Sequence, residues 1–384
     1  MTTPPTRSRR LCFVVSRAGT AKVFLKNYLL AMSQSGFEVL LISNDDIDLT
    51  EMCQLECATW HPVPMSREPS PLSDLRAIMR VRKKLRSFRP DVLVYATPKA
   101  SMVSAVAGGL AGVPLRVYEQ WGLRLETEKG ARRLVLWLIE KTIVRLSHQV
   151  IANSHSLARV LEEMRLAPSG GVQVLGSGSS HGVDVDHFSR RSELNPLDTS
   201  TRAFLDSSHA FTLGYVGRLH NDKGITTLLR AAALCFERGL KVRVLLVGGD
   251  EGFVLDSGMI GDLPVHIVGR VEDTRAYYEA MDVLILVSER EGFPNVVLEA
   301  ASMQVPAIVS DATGARDAVQ CGITGKVVAT NDVSALAAAI DGFVTGKDDA
   351  RIYGLRARNW VKTEFSASEV QRLHIDHLVN VLQD

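Results

Sequence analysis

Apolar residues in this chain gather in short runs separated by longer amphipathic stretches, and the two kinds alternate in both halves. In the first half, Leu11–Ser16, Phe37–Ser43, Asp91–Ala96, Leu115–Glu119 and Gln149–Asn153 are β-branched or apolar runs of strand length. Between them, Ala21–Ser35, Ser73–Phe88, Ser101–Ala111 and Ala131–Ser147 carry apolar residues at helical spacing. Ser154 is a candidate cap for a further helix that turns Leu157, Val160 and Leu161 inward. From about Ser189 to Ser208 the pattern gives way to Ser, Thr, Asn, Pro and Asp, as in an interdomain linker. A second series follows, with strands predicted at Phe211–Val216, Val242–Val247, Val265–Val268, Asp282–Val287 and Pro306–Ser310. Helices lie between them, and Asp348–Thr363 and Ala367–Leu382 close the chain as helices. Such alternation predicts an α/β fold with doubly wound parallel sheets. Two such halves predict a ligand cleft between the carboxyl ends of the two sheets.

Composition agrees with two α/β domains: 384 residues, 46% of them hydrophobic and 23% charged, describe a globular chain. No apolar run approaches the roughly 18 residues of a membrane span. Met1 to Arg10 has arginines but no long apolar stretch behind them, so no secretory signal is expected. Five unevenly spaced cysteines do not form a disulfide framework. A cytoplasmic location is the resulting expectation.

The net charge of +1 conceals a division. Residues 1–191 hold 26 Lys and Arg against 17 Asp and Glu, a net of +9; the remainder holds 18 against 26, a net of −8. Between Leu75 and Pro90, Arg76, Arg80, Arg82, Lys83, Lys84, Arg86 and Arg89 face no acidic residue. That stretch reads either as a solvated helix face or as a surface resting on the anionic inner face of a membrane. Nucleic acid ranks lower, because Phe88 is its one interleaved aromatic and no binding module surrounds it.

Two segments carry candidate chemistry. In the run from Tyr215 to Ile225, a strand enters Gly217, and Arg218 and Lys223 follow at the approach to a helix. Two cations there suit a diphosphate, since exposed N–H groups and the helix dipole already favour negative charge. A solvated basic turn is the plainer alternative. In the run Glu291 to Glu299, Pro294 suits a first helical turn, leaving the amides of Gly292, Phe293, Asn295 and Val296 near the helix mouth. Glu291 and Glu299 then suit sugar hydroxyls, or else cap the helix and face solvent.

The Gly-Arg…Lys-Gly loop, the Glu-x7-Glu segment and the preceding Ala280–Ser288 run resemble retaining glycosyltransferases of family 4, with the GT-B fold. The likeness covers nearly the whole chain. Trp121–Thr127 and Gly178–Asp184 further resemble the branch that builds capsular polysaccharide and O-antigen units. The resemblance implies an acceptor-binding domain over 1–195, a nucleotide-sugar domain over 205–365, and a last helix, 366–384, packed back on the first domain. It implies that Arg218 and Lys223 hold the donor pyrophosphate, that Glu291 takes sugar hydroxyls, and that Glu299 takes the ribose. Gly217, Gly292 and the amides of Phe293 to Val296, with Pro294 and Asn295 among them, would complete the cradle. Arg270 and Val271 would lie near the base, and Gly19 would approach donor from the other domain.

The activity implied is retaining transfer from a nucleoside diphosphate sugar, of UDP type, to a lipid-linked or growing polysaccharide acceptor, with no metal and no cofactor. A polyprenyl diphosphate acceptor would suit the basic half. Trp121, Arg124 and His181 are candidates for the acceptor side. Where many members carry a His, this chain has Glu119-Gln120-Trp121-Gly122; Trp121 reads equally as a sugar platform or a core side chain. Ala18-Gly19 replaces a common glycine pair, and His181 stands for an Asn. A sugar-nucleotide epimerase on the same fold is the alternative enzyme.

Three other groupings lead nowhere. Cys53, Cys57 and His61 are spaced to share a helix face but lack a fourth zinc ligand. The glycines of Ala107–Gly112 lack the dinucleotide-binding order, and Ile323–Lys326 lacks the upstream glycine of a phosphate loop.

Overall fold

A computed structural model describes residues 8–45, 47–66, 70–190 and 193–383. By internal packing the chain divides into two units: Met1–His181 with Val370–Asp384, and Gly182–Glu369.

Six strands form the sheet of the first unit: β1 (Arg9–Val14), β2 (Phe37–Ser43), β3 (Ala58–Pro62), β4 (Val92–Tyr95), β5 (Leu115–Gln120) and β6 (Gln149–Ala152). All pair in parallel, in the order β3-β2-β1-β4-β5-β6. Both faces of the sheet are covered, which is why Leu11–Val14 of β1 and Val39–Ile42 of β2 read as unbroken apolar runs. Leu11, Phe13, Val39 and Leu41 point one way, into a layer with Leu29, Met32, Leu49 and Leu378. Cys12, Val14, Leu40 and Ile42 point the other way, against Val81, Val103 and Ile143. The first layer comprises helices Ala18–Phe24, Tyr28–Gln34 and Ile47–Leu55 with the C-terminal helix Ala367–Val381; the second comprises Pro71–Phe88, Pro98–Ala111 and Gly130–Leu146.

Three expectations change here. The single helix expected over Ala21–Ser35 is two, because Asn27 takes a left-handed conformation (φ 63°) and its N–H donates to the Glu56 carboxylate at 2.6 Å. Strand β3 was not expected: at the sheet edge its sequence is half-exposed and mixed, ending in proline. Cys53, Cys57 and His61 do not share a helix face, since Cys53 is buried in a helix, Cys57 follows it at φ 54°, and His61 lies in β3. Among the described residues no group of three or more ligating side chains could hold a metal.

One buried acid in this unit sets a stability test. Glu140 is 6% exposed and accepts from the Tyr118 hydroxyl at 2.8 Å and Gln120 at 3.3 Å. Burial pushes its carboxyl up to about 7. The folded state therefore binds a proton that the unfolded chain releases near its ordinary 4.5, so stability falls as pH rises from there to about 7. Glu140→Gln is expected to flatten that slope and to gain up to about 3 kcal/mol over wild type at pH 8. Urea unfolding of both proteins at pH 5 and pH 8 checks it; an unchanged slope would refute it.

The second unit repeats the plan with β7 (Phe211–Val216), β8 (Val242–Val247), β9 (Val265–Gly269), β10 (Val283–Leu286), β11 (Ala307–Ser310) and β12 (Gly325–Val328). These too are all parallel, in the order β12-β11-β10-β7-β8-β9. Edge strand β12 was again not expected, being four residues that begin with glycine. The division between units falls at His181, not within Ser189–Ser208. Val183 exchanges two 2.8 Å backbone hydrogen bonds with Phe365 and Ala367, and the Phe188 carbonyl accepts from Ser302 at 2.7 Å. Asp198 caps helix Thr199–Asp206. The polar residues that read as a linker thus anchor and cap within the second unit; 191 and 192 lie outside the described residues.

Candidate active site

Open parallel sheets bind ligands at the carboxyl ends of the strands, where strand order reverses. In the second unit that reversal lies between β7 and β10. The loops leaving these two strands are Gly217–Gly224 and Val287–Pro294, the two segments singled out by chemistry. They are closed on each other by backbone. The Glu289 N–H donates to the Asp222 carbonyl at 3.0 Å, and Gly224 (φ 70°) lies so close to Val287 that a Cβ would sit 2.0 Å from its carbonyl oxygen. Only glycine fits there.

This closure brings Lys223 Nζ to 2.7 Å from Glu291 Oε1. Both side chains are withdrawn from water, at 16% and 13% exposure, so solvent screens the pair only partly. Arg218 pairs instead with Glu251, 2.5 Å away on the loop after β8. Both of those side chains are half-exposed, and such a contact contributes roughly 0–1 kcal/mol and exchanges readily. Gly217 (φ 150°) and Gly248 (φ 151°) let the β7 and β8 loops touch: a Cβ on Gly248 would lie 1.7 Å from the Gly217 carbonyl oxygen.

The helix after β10 begins at Asn295, one residue later than expected, with Pro294 as its cap. The Pro294 carbonyl accepts from the Val297 N–H at 3.0 Å. The amides of Gly292, Phe293 and Val296 have no hydrogen-bond partner among the described residues. Phe293 is a buried anchor, its ring 5.3 Å from that of Phe365, and the Asn295 amide donates to the Gly182 carbonyl at 3.0 Å. These two side chains hold the segment, leaving its backbone to face a ligand. Glu299 is half-buried, and burial raises its carboxyl above the usual carboxylate range. Its Oε2 accepts from the Tyr278 hydroxyl at 2.7 Å, while Oε1 has no partner among the described residues. One oxygen is fixed and the other is available. Arg270 is exposed beside Gly249, and Val271 packs on the core.

In the first unit, Gly19 follows β1, next to that sheet's own reversal between β1 and β4. A Cβ added there meets nothing within 4 Å, so the fold itself does not demand glycine. Trp121 stacks on Phe24 (centroids 4.6 Å apart, planes at 14°) and donates to Glu119 at 3.1 Å. One indole face is thus occupied by the protein. His181 meets the same Phe24 at 4.7 Å, and burial pushes its imidazole down to about 4, keeping it neutral at neutral pH. Arg124 pairs with Glu128 at 3.2 Å.

Several partners were not anticipated. Glu251 follows Gly248-Gly249-Asp250 after a strand, a placement like that of Arg218 after Gly217, which is a signal the sequence does contain. Tyr278 lies in a helix of its own, and His374 comes from the C-terminal helix to within 3.4 Å of the buried Glu119 carboxylate. Nothing in their spacing announces these pairings.

Two six-stranded parallel sheets, each sandwiched by helices and each with its strand reversal, define the class as the GT-B fold. Solved structures agree. Anabaena HepE, in complex with UDP and glucose, superposes with TM-score 0.75 over 96% of this chain and 99% of its own, at 19% identity. Sucrose-phosphate synthase from Thermosynechococcus elongatus does so at 0.76, over 97% and 99%, at 18% identity. Residues 19–178 match the glycosyl transferase 4-like domain and residues 210–345 the glycosyl transferases group 1 model. The capsular polysaccharide biosynthesis glycosyltransferase CapM of Staphylococcus aureus is 30% identical over 88% of both chains. The Escherichia coli UDP-Gal:alpha-D-GlcNAc-diphosphoundecaprenol alpha-1,3-galactosyltransferase is 24% identical over 94% of this chain and 95% of its own. The chain belongs to the family 4 glycosyltransferases.

Proposed function

We propose that this glycosyltransferase moves a sugar, with retention, from a UDP-type donor to a lipid-diphosphate-linked or growing polysaccharide acceptor in capsule, O-antigen or exopolysaccharide synthesis. The observation that carries the reading is the Lys223–Glu291 pair, held at 2.7 Å where the strand order of the second unit reverses. The roles of CapM in capsular polysaccharide biosynthesis and of the diphosphoundecaprenol galactosyltransferase support the pathway class, and the UDP bound by HepE supports the donor. A sugar-nucleotide epimerase has no support in the matched family models.

In this reading the bond between the anomeric carbon and the β-phosphate oxygen breaks, and a glycosidic bond forms on the same face. The acceptor hydroxyl gives its proton to the departing phosphate. Lys223 and Arg218 stabilise the charge that builds on that phosphate, with the unpartnered amides of Gly292, Phe293 and Val296 beside them. Glu291 orients the sugar through its hydroxyls, and the available oxygen of Glu299 accepts from the ribose. Preorganised positive charge performs the role a metal would otherwise fill, so neither metal nor cofactor enters the proposal.

Incubation with UDP-, GDP- and dTDP-sugars, without and with a lipid-diphosphate acceptor, tests it. Nucleotide release only when acceptor is present is the expected result. Conversion of the sugar nucleotide without release would overturn it.

Gly19 supplies a second test. Gly19→Ala adds a methyl group into open space on a helix, so the melting temperature should hold or rise. If donor approaches that backbone, kcat/KM should nevertheless fall about tenfold to a hundredfold. Unchanged kcat/KM would remove Gly19 from the site.

A further inference from the structure

We propose that Arg290 is a positioning residue for sugar transfer, acting through Asp222 to hold the two loops of the candidate site in register. This role rests on the proposed reaction, in which the donor diphosphate draws Lys223 and the donor sugar takes Glu291. Charge on the two loops is matched in opposite order. Asp222 and Lys223 follow one another after β7, and Arg290 and Glu291 follow one another after β10. Asp222 Oδ2 lies 3.6 Å from Arg290 Nη2, and Lys223 Nζ lies 2.7 Å from Glu291 Oε1. Two ion pairs of opposite polarity thus stand side by side between the loops. The 3.0 Å hydrogen bond from the Glu289 N–H to the Asp222 carbonyl lies beside them.

Only one of these pairs survives donor binding. A diphosphate competes for the Lys223 cation and sugar hydroxyls compete for the Glu291 carboxylate, so the reaction opens that pair. The β7 loop is a single turn, Asn221–Lys223, and the β10 loop is irregular as far as Asn295, so neither has regular structure to keep it aligned. Asp222–Arg290 remains, one residue back from the ligand on each loop. Its acid is well anchored: Oδ1 lies 2.7 Å from His220 Nδ1, so each carboxylate oxygen has its own partner. Burial opposes ionisation of Asp222, but the His220 hydrogen bond and the Lys223, His220 and Arg218 charges outweigh it and hold the carboxyl below the usual range. Asp222 is therefore negative at neutral pH. Arg290 is half-buried and has no other hydrogen-bond or ion-pair partner among the described residues. Its one contact leads to the site through Asp222.

Asp222→Asn, Arg290→Met and the double variant form the test. Nucleotide release is read at saturating donor, with the UDP-sugar and lipid-diphosphate acceptor that wild type turns over. Each single variant is expected to lose about tenfold in kcat, part of the roughly hundredfold that a 1 Å misplacement costs. Because the two residues act as a unit, the double variant should also lose about tenfold rather than roughly a hundredfold. Arg290→Lys keeps a point charge and should recover most of the loss. UDP affinity, measured by calorimetry, should stay within about threefold in every variant, since Arg218 and Lys223 are untouched and the altered charges are partly screened. Losses that multiply in the double variant would overturn the proposal and make Arg290 a substrate contact. So would a raised donor KM at unchanged kcat, or wild-type kcat in both single variants. Lys223→Met, assayed in parallel, separates the positioning role from the reaction beneath it. If Lys223→Met loses turnover while Arg290→Met does not, the positioning role alone falls. If Lys223→Met turns over normally, the proposed reaction falls and the positioning role with it.

Discussion

Lys223→Met is expected to lower turnover by about 10²- to 10³-fold, the scale of losing one preorganised group that faces developing charge. Read alone, that loss would be ambiguous. Lys223 and Glu291 are paired at 2.7 Å with little exposure, so removing the cation also strands a carboxylate. An uncompensated buried charge costs up to about 3–5 kcal/mol, and this partly solvated one less. The variant could therefore fail by unfolding. Lys223→Met combined with Glu291→Gln separates the two causes, because the pair is replaced by neutral groups of similar shape and no charge is stranded. The double variant should recover the melting temperature lost by the single variant and none of the turnover. Nucleotide release at saturating donor, alongside thermal melts, reads both quantities. Recovery of turnover with stability would reduce the pair to a structural strut, and the site would have to be sought elsewhere.

The Arg218–Glu251 contact behaves differently for a physical reason. Both side chains are half-exposed, so the pair is screened and contributes little to folding. Under the proposed reading, Arg218 leaves Glu251 for a diphosphate at small cost, whereas Lys223 must exchange a partner held away from water.

What the sequence conveyed follows from where each residue lies. The inner strands are buried on both faces, so β1, β2, β4, β5, β7, β8, β10 and β11 were legible as short runs rich in apolar and β-branched residues. Of the four outer strands, β6 and β9 keep enough apolar residues to be read, whereas β3 and β12 are short and of mixed composition, and both were missed. Inside the candidate site, the placement of Lys223 and Glu291 was legible because each sits on a loop following a readable strand. Their mutual contact was not, since it depends on Gly224 and Val287 meeting across the strand reversal. Tyr278 beside Glu299, and His374 beside Glu119, are tertiary pairings with no trace in local pattern. Asn27 shows the limit of periodicity: a left-handed residue halves a helix whose apolar spacing runs straight through it.

Gly314→Ala should nearly abolish transfer while leaving the second unit folded. Gly314 follows β11 at φ 75°, and the Glu291 N–H donates to the neighbouring Thr313 carbonyl at 3.1 Å. An added Cβ would lie 1.9 Å from the Gly292 carbonyl oxygen and 3.0 Å from that of Glu291. The obstacle is backbone, which cannot rotate aside as a side chain does. Relief requires the Glu291–Gly292 segment to retreat by about an ångström, and a shift of that size costs on the order of a hundredfold in rate. The left-handed backbone adds a strain penalty of about 1–3 kcal/mol for any residue with a Cβ. Gly322 isolates that second contribution, since it has nearly the same φ, 78°, with nothing within 4 Å of its Cβ position. Gly322→Ala should therefore lose stability alone, and Gly314→Ala should lose stability and turnover together. Equal turnover in the two variants would mean that the position of the Glu291 carboxylate is not what transfer depends on.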